Sequence, residues 1–492
     1  MEVLSIYIGG CIMIGRKEEK AYLQNLVNEI EPQFIAVFGR RRIGKTYLVR
    51  ESFEHNFFFQ HTGISNHSLE KGSHIQSQLE KFAESLKDAG YEGDLNLTSW
   101  NEAFGKLKEL IDQSDEKKKV LFIDELSWMD TKNSGLISAL ESFWNGWVTS
   151  RKEKDVILIV CASATYWMID NIVNSKGGLH NRLTGQIHLK PFSLGACEEY
   201  LMSRNMSYNR HQLLQCYMIL GGVPYYWSLL KKGKSIPQNI DELFFKEGAP
   251  LQNEFDNLYS ALFVKPKQYI QIIKALSGVN KGITREEISK KTGISSSGEL
   301  TRKLKELENC GFIRTYLPFG NKRNNSVYQL IDNYTLFYNK FIKNNVHEEN
   351  YWQNQINTPK LNSWSGIAFE KVCLEHIPQI KKALGISGVY TEVNAWQCEA
   401  DLENGIHGSQ IDLIIVRKDQ IINICEMKYS DDDFIVDSKF DRSIKRKLSD
   451  FKKKTHTKYS LHPTLITTYD VPSTSYSDEL QAILTSDDLF AS

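Results

Sequence analysis

The run Phe34-Ile35-Ala36-Val37-Phe38-Gly39-Arg40-Arg41-Arg42-Ile43-Gly44-Lys45-Thr46 sets the architecture to look for. Five apolar residues read as a buried strand, and a helical run begins at Tyr47. Between them stands G-x-x-x-x-G-K-T. Its glycines let successive backbone N–H groups converge on phosphate oxygens at a helix N-terminus. Gly39, Arg40, Arg41, Arg42, Ile43 and Gly44 would form the cradle, Lys45 would reach the β and γ phosphates, and the Thr46 hydroxyl would ligate Mg2+.

A second apolar run, Val120-Leu121-Phe122-Ile123, ends in Asp124-Glu125. An Asp at the carboxyl end of a buried strand can hold the Mg2+ shell, and the adjacent Glu can polarise an attacking water. Ser163, just beyond the run Ile157 to Cys161, is placed either to sense a γ-phosphate or simply to finish a strand. Other short β-rich runs (Phe57 to Gln60, Gln186 to Leu189) alternate with helical stretches up to about residue 190, which is α/β text.

At roughly 150 residues per domain, 492 residues allow about three domains. Sixty basic residues cancel sixty acidic ones, so any nucleic-acid surface must be a local patch. The eight cysteines form no C-x-x-C pair and read as reduced thiols. Apolar runs such as Val156 to Ala162 fall far short of the roughly 20 residues that span a bilayer. The first dozen residues carry no signal-peptide pattern. The expectation is a cytoplasmic protein with no membrane partner.

These residues resemble the AAA-like ATPases of the archaeal and bacterial type, related to the STAND class. Ile14-Gly15-Arg16 with Glu19 is similar to that group's N-terminal box near the nucleotide base, and Gly221-Gly222-Val223-Pro224 is similar to its lid motif. The resemblance covers about 14 to 255 and implies ATP with Mg2+, a sheet of order 5-1-4-3-2 and a helical lid. Gly15, Arg16 and Pro224 then join the nucleotide-binding set. Arg182 matches the place of a finger that reaches a neighbour's nucleotide, which would require a homo-oligomer; a structural arginine pairing within its own domain is the alternative.

Segment 261 to 325 holds 13 Lys plus Arg against 5 Glu and no Asp. Its order of three helices and two β-like runs around a Gly-Asn-Lys-Arg-Asn-Asn tip looks like a winged helix. Leu300, Leu304 and Leu307 would form the third helix's apolar stripe, turning Arg302, Lys303 and Lys305 outward, with Lys322 and Arg323 on the wing. DNA is the expected partner, a protein-interaction module the alternative.

Farther on, Gln410-Ile411-Asp412-Leu413-Ile414-Ile415-Val416 and Ile421-Ile422-Asn423-Ile424-Cys425-Glu426-Met427-Lys428 read as a hairpin. Centred on Asp419, it would set Asp412 opposite Glu426, with Lys428 on the same side as Glu426. Two close carboxylates invite a divalent cation, and a nearby lysine can serve its water. Glu370 could complete the acidic set. The pattern resembles the PD-(D/E)xK nuclease superfamily, and more closely the C-terminal domain that accompanies this kind of ATPase. That resemblance assigns Asp412 and Glu426 to metal and Lys428 to catalysis. The basic run Lys439 to Lys454 would track a nucleic-acid backbone or form a solvated helix.

The expected organisation is an α/β P-loop core (14–190), a helical lid (191–260), a winged helix (261–345) and a C-terminal α/β restriction-endonuclease-like domain (361–492). The expected function is ATP hydrolysis coupled to Mg2+-dependent action on DNA. The alternatives are a regulatory switch whose terminal domain binds without cutting, and a transcription regulator working through the winged helix.

Overall fold

A computed structural model describes residues 13–65, 74–263, 265–320, 326–343 and 348–491. The chain divides into two compact units, Met1–Lys190 and Pro191–Ser492. In the first, β1 (Gln33–Phe38), β2 (Phe59–Thr62), β3 (Lys119–Asp124), β4 (Val156–Ala162) and β5 (Gly185–His188) form one parallel sheet of order β2-β3-β4-β1-β5. This is the strand order that the resemblance implies. Every residue of β1, β3 and β4 is buried. Continuous apolar runs are what a parallel sheet covered on both faces requires. Phe34, Leu121 and Leu158 pack into the core on one face, while Ile35, Phe122 and Ile159 pack on the other.

β2 starts two residues later than the run Phe57 to Gln60 suggests. The Phe57 ring sits between Phe53 and Phe122, while His61 turns inward with Phe59, buried and bonded through Nδ1 to Ser85 Oγ at 2.9 Å.

The second unit opens with helices Leu194–Ser203, Arg210–Leu220, Pro224–Ser228, Ile236–Phe244 and Glu254–Leu262. Pro266–Ser277, β6 (Ile283–Thr284), Arg285–Thr292, Gly298–Asn309, β7 (Ile313–Tyr316) and β8 (Val327–Leu330) follow in winged-helix order, with an antiparallel sheet β6-β8-β7. Thr284 and Glu287 form a capping box at the second helix. Leu300, Leu304 and Leu307 are fully buried and Arg302 is exposed, as the stripe predicts. Lys303 is a correction: it lies inside, its stem folded over the Tyr269 ring and its ammonium 3.2 Å from Glu299. A long aliphatic stem lets a lysine cover apolar surface while its charge finds a carboxylate. Lys322 and Arg323 lie outside the described residues.

Helix Pro359–Glu375 then leads to a mixed sheet of β9 (Thr391–Cys398), β10 (Ser409–Arg417), β11 (Ile421–Lys428), β12 (Ser460–Thr467) and β13 (Ala482–Leu484), ordered β13-β12-β11-β10-β9. Helix Ser438–Thr455 forms the crossover between the parallel strands β11 and β12. β10 pairs with β11 through Leu413↔Cys425 to Val416↔Ile422, a hairpin centred on Asp419. Against β9 the register of β10 shifts between Ile411 and Ile414, so Asp412 stands in a bulge. Bulges re-aim side chains and are common beside functional sites. Among the described residues no helix is long and apolar enough to cross a membrane.

His376 ties this fold to the helical region of the same unit. Its Nδ1–H donates to Val372 O at 2.8 Å and its Nε2 accepts the Leu194 N–H at 3.0 Å, so only the neutral ring satisfies both. Burial pushes its pKa from 6.5 down to about 4, against the opposing Val372 bond. Between those values the unfolded chain holds the proton that the folded chain refuses, so stability falls as pH falls through this window. The expected loss is roughly 1.4 kcal/mol per pH unit below about 6.5. Denaturant unfolding followed by tryptophan fluorescence should show it, and His376→Gln should be less stable near neutrality but flatter on the acid side. Parallel acid limbs would exclude His376 as the cause.

Candidate functional site

Two sites are built, one in each unit. In the first, the chain leaves β1 through Gly39 at φ +149°, where an added Cβ would lie 2.2 Å from the Leu189 carbonyl oxygen; only glycine fits. Gly44, left-handed at φ +89°, starts helix Lys45–Ser52 without a side-chain cap. The positive end of the helix dipole therefore opens onto the loop. Ile43 is buried beneath it and Arg40 is buried, whereas Arg41 and Arg42 are half-buried.

The Lys45 ammonium, 5% exposed, donates to the carbonyls of Gly39 and Arg40 at 3.0 Å each and to Ser163 Oγ at 3.1 Å. Thr46 Oγ1 donates to Asp124 Oδ2 at 2.6 Å. Asp124 Oδ1 accepts the Glu125 N–H at 2.9 Å. Glu125, at φ +50°, is clasped by Ser163: its Oε1 accepts the hydroxyl at 2.5 Å and its Oε2 the backbone N–H at 3.1 Å. Ser163 is thus no idle strand end, since it joins the Lys45 ammonium to the Glu125 carboxylate. The hard oxygen donors of Thr46 and Asp124, beside a buried ammonium at a helix start, fit a Mg2+-bound triphosphate.

Around this centre, Gly15 at φ +63° precedes Arg16, whose guanidinium donates to the Lys190 carbonyl and lies 3.7 Å from Glu19. Arg182, just before β5, is exposed and forms no hydrogen bond or ion pair through its side chain with any described residue. The intradomain pairing considered for it is therefore absent among the described residues. Pro224 belongs to the second unit, where it begins helix Pro224–Ser228. The Gly222 carbonyl accepts the Phe192 N–H at 2.7 Å, and a Cβ on Gly222 would meet the Phe192 oxygen at 1.9 Å.

The other site lies in the terminal sheet. Glu426 Oε1 is 2.8 Å from Lys428 Nζ, and its Oε2 is 2.6 Å from Lys447 Nζ. Burial alone would raise the Glu426 carboxyl, but Lys447 and Lys428 together hold it below the usual range. Asp412 Oδ1 accepts from Gln410 Nε2 at 2.6 Å. Glu370 Oε2 accepts from Asn280 Nδ2 at 2.9 Å; burial and then the Asp412 charge push this carboxyl up, against the Asn280 bond, with Glu426 adding a smaller push. The three carboxylates are therefore within electrostatic reach. Among the described residues, however, no group of three or more His, Cys, Asp or Glu side chains is arranged to hold a metal ion. Asn280 holds Glu370 while Asp412 and Glu426 act on it through their charge.

Lys447, Asn280 and Lys371 were not foreseen as site residues. Lys447 stood within the basic run, but nothing in its spacing fixes a partner 21 residues away. Asn280 and Lys371 carry no motif. Lys371 is buried, donates to the Asn280 carbonyl at 3.2 Å, and burial pulls its pKa down to about 8, with Glu370 opposing and Arg314 adding to the fall.

Residues 13–230 match the family model of an ATPase domain predominantly from Archaea, and residues 334–448 match that of archaeal and bacterial proteins of unknown function. An uncharacterized protein of Methanocaldococcus jannaschii is 25% identical over 427 residues, 85% of this chain and 88% of its own. An uncharacterized ATP-binding protein of the same organism is 39% identical over 46 residues, 9% of this chain and 78% of its own. Among solved structures, the Walker-type ATPase of Pyrococcus abyssi is similar at 17% identity and TM-score 0.47, over 66% of this chain and 95% of that one. A STAND protein with a tetratricopeptide-repeat sensor from Pyrococcus horikoshii is similar at 17% identity and TM-score 0.30, over 76% of this chain and 48% of that one.

Replacing Ser163 by Ala removes the clasp on Glu125 and one acceptor of Lys45. The expected result is nucleotide affinity within a few-fold of wild type and hydrolysis slowed roughly 10- to 100-fold, as for a mispositioned general base. Fluorescent-nucleotide titration and phosphate release measure the two. Unchanged turnover would show that Ser163 has no part in the chemistry.

Proposed function

We propose, for a chain that belongs through residues 13–230 to the ATPase family found predominantly in Archaea, that ATP hydrolysis in the first unit controls Mg2+-dependent action on DNA by the second. The observation that carries the ATPase half is the convergence of Lys45, Thr46, Asp124, Glu125 and Ser163 on one loop. Bound Mg2+ would be held by Thr46 and Asp124 and would supply charge neutralisation to the transferring phosphoryl group. Lys45 exchanges its carbonyl partners for phosphate oxygens. Glu125, held in place by Ser163, takes a proton from water at its carboxylate. Arg182, exposed on its own unit, is available to a neighbouring copy's nucleotide, so hydrolysis would depend on self-association.

Action on DNA is supported by helix Ser438–Thr455. It exposes Arg442, Arg446 and Lys453, while its Lys447 reaches the Glu426 carboxylate, so a cationic track begins at the terminal site. The winged helix adds the exposed Arg302 and Lys305. In the nuclease reading, Asp412 and Glu426 would hold Mg2+, which would supply charge neutralisation, and Lys428 would orient the attacking water. A second reading, a switch whose terminal domain binds without cutting, is favoured by the two lysines that already neutralise Glu426.

Lys45→Ala should lower ATP turnover at least 100-fold, in the manner of other lost phosphate contacts. Wild type should nick DNA with Mg2+, and Asp412→Ala or Lys428→Ala should abolish nicking while leaving turnover intact. DNA binding without nicking would select the second reading, and ATP turnover that survives in Lys45→Ala would overturn the first half.

A further inference from the structure

The terminal carboxylate site is joined to the winged helix of the same unit by a chain of hydrogen bonds. Arg314 on β7 faces Gln329 on β8, and its Nε donates to Gln329 Oε1 at 2.6 Å. Gln329 Nε2 donates to the Asn280 carbonyl at 2.6 Å, and Asn280 Nδ2 reaches Glu370. The Phe319 N–H, just past β7, donates to the Ala395 carbonyl of β9 at 2.9 Å, and the Phe319 ring lies 5.1 Å from that of Phe451. The root of the wing is thereby fixed to the edge of the terminal sheet.

This junction leaves one cation underused. Arg314 and Tyr316 are two apart on β7 and share a face. The guanidinium lies 4.8 Å from the Tyr316 ring centroid, and Tyr316 lines a cleft together with Lys281, Gln397, Gln410 and Asp412. Beyond its single Nε bond, Arg314 makes no hydrogen bond or ion pair through its guanidinium with any described residue. Asp412 acts on it only across a gap: burial draws the Arg314 pKa down to about 10, and the Tyr316 and Asp412 charges oppose that fall. The terminal guanidinium nitrogens of Arg314 stay open to solvent, and their planar fork matches phosphate. The basic face of Ser438–Thr455, which reaches Glu426 of the neighbouring strand β11 through Lys447, makes a polyanion the fitting source of that phosphate.

We propose that Arg314 is the phosphate-binding residue of the terminal site, so that a DNA strand is held between the wing root and β10 and the site is composite, built jointly by the winged helix and the terminal sheet. This rests on the reading of the terminal site as DNA-directed. It departs from the view of the winged helix as a separate grip acting through its third helix.

The test is fluorescence anisotropy of a short labelled DNA duplex with the full chain, without Mg2+, across a salt series. Arg314→Gln, which can still bond Gln329, should weaken binding roughly 10- to 100-fold and reduce the slope of log affinity against log salt by about one. Arg314→Lys should restore the slope, which a purely structural role would not do. Arg302→Gln on the third helix should cost less. An Arg314→Gln protein with wild-type affinity and slope, or one in which only Arg302→Gln loses binding, overturns this inference alone. A wild type that binds no DNA overturns it together with the reading beneath it.

Discussion

A buried ammonium organises the first unit. Lys45 is almost wholly removed from water, and a charge so placed must find oxygen partners or be expelled. The carbonyls of Gly39 and Arg40 can be those partners only because Gly39 adopts a φ closed to other residues and passes within reach of Leu189 on the chain leaving β5. Ser163 supplies the third partner from the end of β4. Two parallel strands, β1 and β4, must therefore end at one level for one cation to be satisfied. The same levelling brings Asp124 to Thr46 and Glu125 to Ser163.

The second unit balances its charges differently. Glu370, Asp412 and Glu426 would repel one another if left bare, and here cations and amides from several directions share them. Lys428 comes from the same strand as Glu426 and Lys447 from the crossover helix, while Asn280 comes from the turn after Pro266–Ser277. Asn280 has two jobs, since its side chain bonds Glu370 and its carbonyl receives both Gln329 and Lys371. The winged helix cannot be detached from this site without leaving Glu370 and Lys371 short of partners inside the fold, which is costly for buried polar groups.

What could be read in advance follows the range of the forces. Motifs in which a strand, a glycine turn and a helix succeed one another are local, and the phosphate loop, the β10–β11 hairpin and the helix order of the winged helix were legible from spacing. Pairings that close over long separations were not. The clasp of Glu125 by Ser163 spans 38 residues, and the bond from Asn280 to Glu370 spans 90. Periodicity also errs where a side chain is amphipathic: Lys303 is charged yet buried over Tyr269. The bulge that frees Asp412 from its β9 partner leaves no trace in an alternating apolar run.

The two carboxylate centres consequently meet a cation on unequal terms. Both oxygens of Asp124 accept bonds from neutral donors, the Glu125 amide and the Thr46 hydroxyl, which orient the carboxylate without cancelling its charge. Both oxygens of Glu426 are covered by ammonium groups that already do what a metal would do. A divalent ion can join the first centre by adding to what is there. At the second it would compete with Lys447 and Lys428 for the same oxygens, and a lysine displaced beside a cationic helix could then meet a phosphate. If the second unit acts on DNA as proposed, its metal dependence would thus be coupled to its hold on that polyanion, a coupling the first centre lacks.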